Sequence, residues 1–148
     1  MITDAIKSTA EFLEIHGVDE ARLLAEYTIA HITGIPRLRL NEKGSRTLTE
    51  KQQRDLDEAA ARLAAHEPLQ YLLGYTEFLG RKFKTDRRAL IPRPETEELV
   101  QRVLDEEELW DTPEPVIVDV GTGSGCIAIT LAMEHPEAAI TALDINPA

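Results

Sequence analysis

The sequence has a single cysteine, Cys126, among 148 residues, and one thiol excludes an internal disulfide framework. Absence of disulfides is typical of a reducing compartment, so we expect a cytoplasmic protein. No stretch approaches the roughly 18 consecutive apolar residues that a membrane helix needs, and the N-terminus lacks the basic start and apolar core of a signal peptide. The four histidines are widely scattered, which argues against a zinc site. The sequence therefore predicts neither a membrane span nor a bound metal.

Basic residues are also few, with 16 lysines and arginines against 27 aspartates and glutamates, and the net charge is −11. Because phosphate contacts need basic surface, we do not expect direct nucleic-acid binding by the chain as a whole. The charge is uneven, however. Residues 81–93 hold six basic residues against Asp86 alone, and residues 95–111 hold eight acids against Arg102 alone. Two interpretations of the basic segment stay open, a contact surface for RNA or an acidic partner and a solvated linker.

Residues 1–73 show helical periodicity, so they are predicted to form an all-α bundle. We expect Thr3 to cap the first helix and Asp19 to cap the second. Thr49 and Gln52 have the spacing of a capping box at the start of a third long helix. No nucleophile is paired with a base in this segment, so its residues alone indicate a binding or packing domain.

Past residue 74 the periodicity changes from helical to alternating, which predicts a β-hairpin with its turn at Gly80-Arg81. We assign residues 74–92 to this hairpin linker. Pro94 suits the first turn of the helix that follows, because its missing N–H is not needed there. The buried stripe of that helix is expected to consist of Leu99, Val100, Val103 and Leu104.

The last segment, residues 93–148, contains the pattern around which the chain is organised. Four apolar β-forming residues surround Asp119, and an apolar helical run begins at Cys126. Between these two elements lie Gly121, Thr122, Gly123, Ser124 and Gly125. A second short apolar run ends in the carboxylate of Asp144. A strand, a glycine turn, a helix and a second strand ending in a carboxylate are typical of nucleotide-like ligand sites in α/β folds.

The spacing of the glycines narrows the choice of ligand. The dinucleotide fingerprint needs a glycine where Cys126 stands, and a P-loop needs a lysine that this loop lacks. The carboxylate of Asp144 suits two ribose hydroxyls and disfavours a 2′-phosphate. S-adenosylmethionine, which contains adenosine but no phosphate, fits this combination. Two roles stay open for Asp119, contact with the methionine ammonium and ordering of the loop amides.

Four blocks of the sequence resemble a known family. They are Gln70-Tyr-Leu-Leu-Gly74, Phe78-x-Gly80, Leu90-Ile-Pro-Arg-Pro-Glu-Thr-Glu97 and Val118-Asp-Val-Gly-Thr-Gly-Ser-Gly125. In this order they resemble the peptide-chain release factor glutamine methyltransferases, the HemK/PrmC family, across essentially the whole chain. The resemblance implies an α/β fold overall, with a helical domain that holds the release factor, a hairpin connector and the start of a Rossmann-like methyltransferase domain. It also implies methylation of the glutamine in the release factor's Gly-Gly-Gln loop, with S-adenosylmethionine as the donor.

The resemblance further assigns site residues. Asp144 and the five residues from Gly121 to Gly125 match the family's cofactor-binding positions, and the secondary candidates are Arg93, Pro94 and Thr96. The family's Asn-Pro-Pro-Tyr motif, whose asparagine grips the target amide, does not occur here, and Asn146-Pro147-Ala148 is not that motif. We therefore assign no catalytic residue. We expect this polypeptide to be part of a longer enzyme and to be inactive by itself.

Two alternatives to a methyltransferase remain. As a polypeptide without the amide-gripping motif, the chain would act only as a non-catalytic module that binds a release factor. An NAD-dependent dehydrogenase would share the strand, the glycine loop and the acidic residue, but Cys126 and the N-terminal blocks disfavour it. The two classes differ in their ligand, because only the dehydrogenase binds NAD.

Overall fold

The computed structural model describes residues 1–146 and divides the chain into two compact units, Met1–Leu73 and Gly74–Ala148. Each unit has buried clusters of its own and is described by itself. Pro147 and Ala148, which enter the comparison with the Asn-Pro-Pro-Tyr motif, lie outside the described residues. Within residues 1–146, no helix combines the length and the apolar character required to cross a bilayer.

The N-terminal unit is built from helices, as the periodicity predicts. The α-helices are α1 (Ile2–Ile15), α2 (Ala21–Thr33), α3 (Glu50–Ala64) and α4 (Leu69–Leu73), with short 3-10 turns at Arg37–Arg39 and Asn41–Lys43. Gly34 ends α2 with a left-handed φ of +69°. Glycine adopts this conformation without steric cost, which is why it is common at this position of a helix.

Two clusters of buried side chains stabilise the N-terminal unit. The larger cluster contains Ile2, Ala5, Ile6, Ile29, Leu40 and Leu56, and the smaller one contains Leu13, Ala21 and Leu63. On α1 these residues include pairs three, four and seven positions apart, and the pairs on α2 and α3 are eight and seven positions apart, spacings that place them on one face of each helix. Since burial of a leucine or isoleucine side chain contributes about 1.5–3 kcal/mol, packing rather than intrinsic propensity stabilises helices of this length.

The predicted caps of the first two helices are wrong. Thr3 lies inside α1, whose first residue is Ile2, and Glu20 rather than Asp19 directly precedes α2. The N–H of Thr3 donates instead to the carbonyl of Gly44 at 3.2 Å. A loop distant in sequence thus satisfies an N–H group at the start of α1 that would otherwise need a cap or water.

The predicted cap of α3 is confirmed. Thr49 Oγ1 accepts a hydrogen bond from the N–H of Gln52 at 3.2 Å, and Gln52 Oε1 accepts one from the N–H of Thr49 at 3.0 Å. The two residues reciprocally satisfy N–H groups at the helix start. This interaction is local, so its sequence spacing was sufficient to predict it.

Removal of this cap is expected to destabilise the N-terminal unit. Thr49→Ala should lower the free energy of unfolding by about 1 kcal/mol, because the N–H of Gln52 loses its acceptor. The control is Thr47→Ala, in the exposed loop before the helix, which should change stability by less than about 0.5 kcal/mol. Urea denaturation followed by circular dichroism measures both variants. Equal losses would mean that the cap does not stabilise α3.

The C-terminal unit combines a hairpin with a parallel pair of strands. Its elements are β1 (Tyr75–Phe78), β2 (Arg81–Lys84), α5 (Pro94–Leu104), α6 (Glu107–Trp110), β3 (Val116–Val120), α7 (Cys126–Glu134) and β4 (Ala139–Leu143). β1 and β2 are antiparallel, whereas β3 and β4 are parallel, with Val116 opposite Ala139 and Val120 opposite Leu143. The predicted order of strand, glycine loop, helix and strand is confirmed, and α6 was not predicted. Because parallel strands end at the same edge of a sheet, the glycine loop and Asp144 are brought together.

The hairpin turns one residue earlier than predicted. Phe78 pairs with Arg81, so Leu79 and Gly80 form the turn, with φ of +45° and +74°. Two positive φ values suit the twist of a two-residue hairpin, but a left-handed leucine is strained. The N–H of Leu79 donates to Glu97 Oε1 on α5 at 2.9 Å. This contact across 18 residues fixes the strained turn, and no local pattern reveals it.

Loss of the Glu97 carboxylate is expected to destabilise the hairpin turn. Glu97→Ala should lower the free energy of unfolding by about 1–3 kcal/mol, because the N–H of Leu79 loses its partner. Glu97→Gln keeps a side-chain oxygen and should recover part of the loss. The control is Glu98→Ala, which replaces the exposed neighbouring residue. Fluorescence of Trp110, the single tryptophan, reports denaturation of this unit, and equal destabilisation by the two alanine variants would contradict the expectation.

The core of the C-terminal unit combines the hairpin with α5, α7 and the parallel strands. Its buried residues are Phe78, Phe83, Val100, Cys126 and Leu131, packed against partly buried side chains that include Ile117 and Ile140. Of the predicted stripe of α5, Val100 is fully buried and Val103 and Leu104 are partly buried against this core, whereas Leu99 is 54% exposed. The opposite face of β3 is uncovered among the described residues, since Val116, Val118 and Val120 are each more than half exposed. Only one face of the parallel pair therefore contributes to this core.

Candidate functional site

The glycine loop joins the end of β3 to the start of α7. Gly121, Gly123 and Gly125 have φ of +80°, +55° and +76°, a region that L-residues with side chains rarely adopt. The N–H groups of Gly121 and Thr122 donate to the carbonyl of Leu143 at 2.8 and 2.9 Å. The loop is thereby held against the end of β4.

Asp119, near the end of β3, orders the loop from within. Its Oδ2 accepts hydrogen bonds from Thr122 Oγ1 at 2.7 Å and from the N–H of Ala128 at 3.3 Å. One carboxylate thus connects the loop to the first turn of α7. A negative charge at this position is also stabilised by the helix dipole. Of the two roles that the sequence leaves open, these contacts are those of loop ordering. Contact with a methionine ammonium stays a prediction.

Asp144, directly after β4, uses both carboxylate oxygens. Oδ1 accepts a hydrogen bond from the N–H of Asn146, and Oδ2 accepts one from the N–H of Gly123, each at 2.8 Å. These N–H groups hold the pKa of Asp144 below its ordinary value, because they stabilise the ionised form. The carboxylate therefore links the end of β4 to the middle of the glycine loop while it stays charged at neutral pH.

The direction of this pKa shift defines a pH window. A carboxylate whose pKa is lowered by folding stabilises the fold fully above its unfolded pKa of about 4, and the stabilisation is lost as the pH falls through the lower folded pKa. The link between Asp144 and Gly123 should accordingly persist at every pH near neutrality. Acid below pH 4 is the condition expected to release the loop from the end of β4.

A cavity of about 360 Å³ lies between the glycine loop, the end of β4 and residues 84–89. Four of the predicted site residues line it, namely Thr122, Gly123, Ser124 and Asp144. The other lining residues were not assigned to the site from the sequence, and they are Lys84, Asp86, Arg88, Ala89, Ala142 and Asn146. The volume falls within the range of roughly 300–1,000 Å³ that is usual for small-molecule sites.

Residues 84–89, which extend from the last residue of β2 into the loop after it, form the wall of the cavity that the sequence did not reveal. The Arg88 guanidinium donates from Nε to Asp86 Oδ1 at 2.8 Å and holds the pKa of Asp86 well below its usual range. Asn146 Nδ2 donates to the carbonyl of Arg88 at 3.1 Å, which connects this wall to the segment after β4. The basic composition of the segment was the only sequence signal available, and it did not indicate which residues face the loop.

The secondary candidates for cofactor binding, Arg93, Pro94 and Thr96, lie at the start of α5. Arg93 directly precedes the helix, Pro94 is its first residue as predicted, and the N–H of Thr96 donates to the carbonyl of Arg93 at 2.9 Å. None of the three is among the residues that line the cavity. Their contacts are those of a helix start, and a role in cofactor binding stays a prediction.

Two further polar side chains of the site are the Ser124 hydroxyl and the Cys126 thiol. The Ser124 hydroxyl is buried without an oxygen or nitrogen partner among residues 1–146, and only the weakly polar thiol of Cys126 approaches it. Burial raises the pKa of the Cys126 thiol, so that it stays protonated and a poor nucleophile. No cluster of metal-binding side chains occurs in the described part of the chain. Neither the Ser124 hydroxyl nor the Cys126 thiol is therefore assigned a catalytic role.

Known proteins match the chain in both units. The family described as the PrmC N-terminal domain matches residues 4–74. A release factor glutamine methyltransferase of Chlorobaculum tepidum is 39% identical over 148 residues, which cover 98% of the chain and 50% of that protein. The corresponding proteins of Koribacter versatilis and Bacillus cereus are 42% and 36% identical, with 99% and 97% of the chain and 51% and 50% of each protein covered. The chain thus spans about half the length of the curated relatives that it matches.

Proposed function

Because the chain belongs to the release factor glutamine methyltransferase family, of which it matches the N-terminal half, we propose that it supplies the donor site and the substrate-binding domain of such an enzyme. The reaction is transfer of a methyl group from S-adenosylmethionine to the glutamine side-chain amide in the Gly-Gly-Gln loop of a peptide-chain release factor. The proposal is carried by one observation, the meeting of the glycine loop with Asp144 at a single cavity.

The hydrogen-bonding groups that line the cavity suit S-adenosylmethionine. Each oxygen of Asp144 already accepts one backbone hydrogen bond, and an ionised carboxylate has about four acceptor positions. The N–H of Ile145 also stabilises the ionised carboxylate, and the acceptor positions that remain are available to the ribose hydroxyls. A Cβ built on Gly123 would lie 3.8 Å from the Cβ of Ala89 on the other wall, so glycine keeps the space between the walls open.

Methyl transfer to an amide depends mainly on alignment of the amide nitrogen with the methyl group. An amide nitrogen is a weak nucleophile because its lone pair is delocalised into the carbonyl, so it must be held in line with the donor methyl while charge develops. S-adenosylmethionine, when bound, supplies that methyl on a positively charged sulfonium. Asp144 fixes the ribose, and Asp119 keeps the loop rigid, so that the reacting end has a defined position. We assign no residue to gripping the amide, because the Asn-Pro-Pro-Tyr motif does not occur in the sequence.

Binding of the release factor is assigned to the N-terminal unit. The match to the PrmC N-terminal domain covers residues 4–74, and this unit folds around its own two buried clusters. Residues 81–93 are assigned as a further contact surface, since Lys82 on this basic segment is exposed. A module that binds the release factor without catalysis is the second candidate, favoured by the missing amide-gripping motif.

Calorimetry tests the donor site directly. The protein is expected to bind S-adenosylmethionine and not NAD, because the loop lacks the dinucleotide fingerprint. Binding of NAD without binding of S-adenosylmethionine would contradict the methyltransferase proposal and favour an NAD-dependent dehydrogenase.

The acceptor side is tested with a release factor and labelled S-adenosylmethionine. We expect residues 1–148 to bind the release factor without transferring label, because no residue is available to orient the amide. A release factor whose Gly-Gly-Gln glutamine is replaced by alanine serves as the control for the site of labelling. Transfer to the glutamine at a stoichiometric rate or faster would show that the chain contains an amide-gripping group after all, whereas absence of binding would remove the role of the N-terminal unit.

A further inference from the structure

The cavity wall opposite the glycine loop carries charges that the proposed function does not use. Lys84, Asp86 and Arg88 all line the cavity. Arg88 donates to Asp86 Oδ1 from its Nε at 2.8 Å and from its backbone N–H at 3.0 Å. Asp86 and Arg88 therefore neutralise each other within this short segment.

Lys84 is the other cation that lines the cavity. It is the last residue of β2, lies opposite Tyr75 in the hairpin register, and is exposed. Its charge contributes to the lowered pKa of Asp86, but in residues 1–146 no carboxylate forms an ion pair with it. Lys82, two residues earlier on the same strand, has its ammonium 4.2 Å from the ring centroid of Tyr75 and does not line the cavity. The two lysines of one strand face thus differ in their access to the cavity.

The cavity consequently presents two separated charges. The Asp144 carboxylate lies at the end of β4, and the Lys84 ammonium lies on the wall formed by residues 84–89, beyond ion-pairing distance of that carboxylate. A complementary ligand has hydroxyl groups that donate to the Asp144 carboxylate and an anionic group that faces the Lys84 ammonium. S-adenosylmethionine has a ribose diol and a single anionic group, the carboxylate of its amino-acid end.

On the basis of the proposed function, we propose that Lys84 binds the carboxylate of S-adenosylmethionine and so selects donors that carry it. This role adds a specificity residue outside the glycine loop and outside the proline-arginine-proline block. A lysine suits the role because its ammonium is a point charge on a long flexible stem that can reach across the cavity.

The test compares two ligands that differ only in this group, S-adenosylmethionine and its decarboxylated form. In calorimetry, Lys84→Gln is expected to weaken binding of S-adenosylmethionine by about three- to tenfold, the usual loss for a partly exposed charged contact. Binding of the decarboxylated form should not change, and Lys84→Arg should restore most of the lost affinity. Lys82→Gln is the matched control and should alter neither affinity.

The outcomes separate this inference from the proposed function. Equal weakening of both ligands by Lys84→Gln would mean that Lys84 shapes the cavity without recognising the carboxylate, and unchanged affinity for both would mean that it makes no contact. Either result overturns the inference and leaves the proposed function intact. If the unsubstituted protein binds neither ligand, the proposed function is wrong and the inference is wrong with it. Thermal unfolding of each variant establishes that a lost affinity is not a lost fold.

Discussion

Gly123→Val is expected to abolish measurable binding of S-adenosylmethionine. The backbone of Gly123 has a φ of +55°, and left-handed backbone costs an L-residue about 1–2 kcal/mol. The valine side chain would also project toward Ala89 on the opposite wall, where even a Cβ stands 3.8 Å from the alanine Cβ. The valine methyl groups would occupy space between the walls that the ligand is proposed to fill, so we expect affinity to fall by more than about a hundredfold, which corresponds to about 3 kcal/mol. Calorimetry measures the effect.

A matched variant separates the strained backbone from the filled cavity. Gly17 has a φ of +71°, and a Cβ built on it meets nothing within 4 Å. Gly17→Val therefore introduces comparable backbone strain at a residue of the N-terminal unit that does not line the cavity. It should lower stability and leave cofactor affinity unchanged. If Gly123→Val binds S-adenosylmethionine as tightly as the unsubstituted protein, the loop does not contact the ligand.

Asp144→Ala has the second largest expected effect. The substitution removes the acceptor for the ribose hydroxyls, and it also leaves the N–H groups of Gly123 and Asn146 without their carboxylate. We expect the affinity for S-adenosylmethionine to fall by about ten- to a hundredfold, the usual range when charged hydrogen bonds are lost and their partners are left unpaired. Calorimetry near neutral pH measures this loss, since the lowered pKa of Asp144 keeps the carboxylate ionised there.

Two further variants make the result specific. Asp144→Asn retains one side-chain oxygen and should lose less affinity than Asp144→Ala, because the oxygen still accepts a hydrogen bond. Glu137, near the opposite end of β4, pairs with His135 and does not line the cavity. Glu137→Ala removes a carboxylate beside the same strand and should leave affinity unchanged. An unchanged affinity in Asp144→Ala would remove this residue from the site.

The elements that the sequence predicted well depend on local chemistry. The capping box of Thr49 and Gln52 is confirmed because both partners lie within one helical turn. The glycine loop between β3 and α7 was recognisable because a run of apolar β-formers ends abruptly in three alternating glycines. Pro94 is at the first helical position, where its fixed φ and missing N–H do no harm. Each of these features is determined by neighbours in sequence.

Two of the wrong predictions depend on contacts between distant residues. Thr3 does not cap α1, because the helix begins earlier and a carbonyl of Gly44 is available to its N–H. The hairpin turn lies at Leu79 and Gly80, where the carboxylate of Glu97 accepts the N–H of a strained residue. In both cases the competing interaction comes from another part of the fold. A sequence pattern that spans a few residues contains no information about such an interaction.

By itself, the sequence determined the strands, the helices other than α6, the glycine loop and the acidic residue at the end of β4, because periodicity and the steric freedom of glycine act locally. Only the tertiary structure decided which groups share the cavity. Parallel pairing of β3 with β4 brings Asp144 to Gly123, and the hydrogen bond from Asn146 to the carbonyl of Arg88 holds residues 84–89 as the opposite wall. Those contacts join residues 21 to 58 positions apart, and the packing of whole elements, rather than any local spacing, determines them.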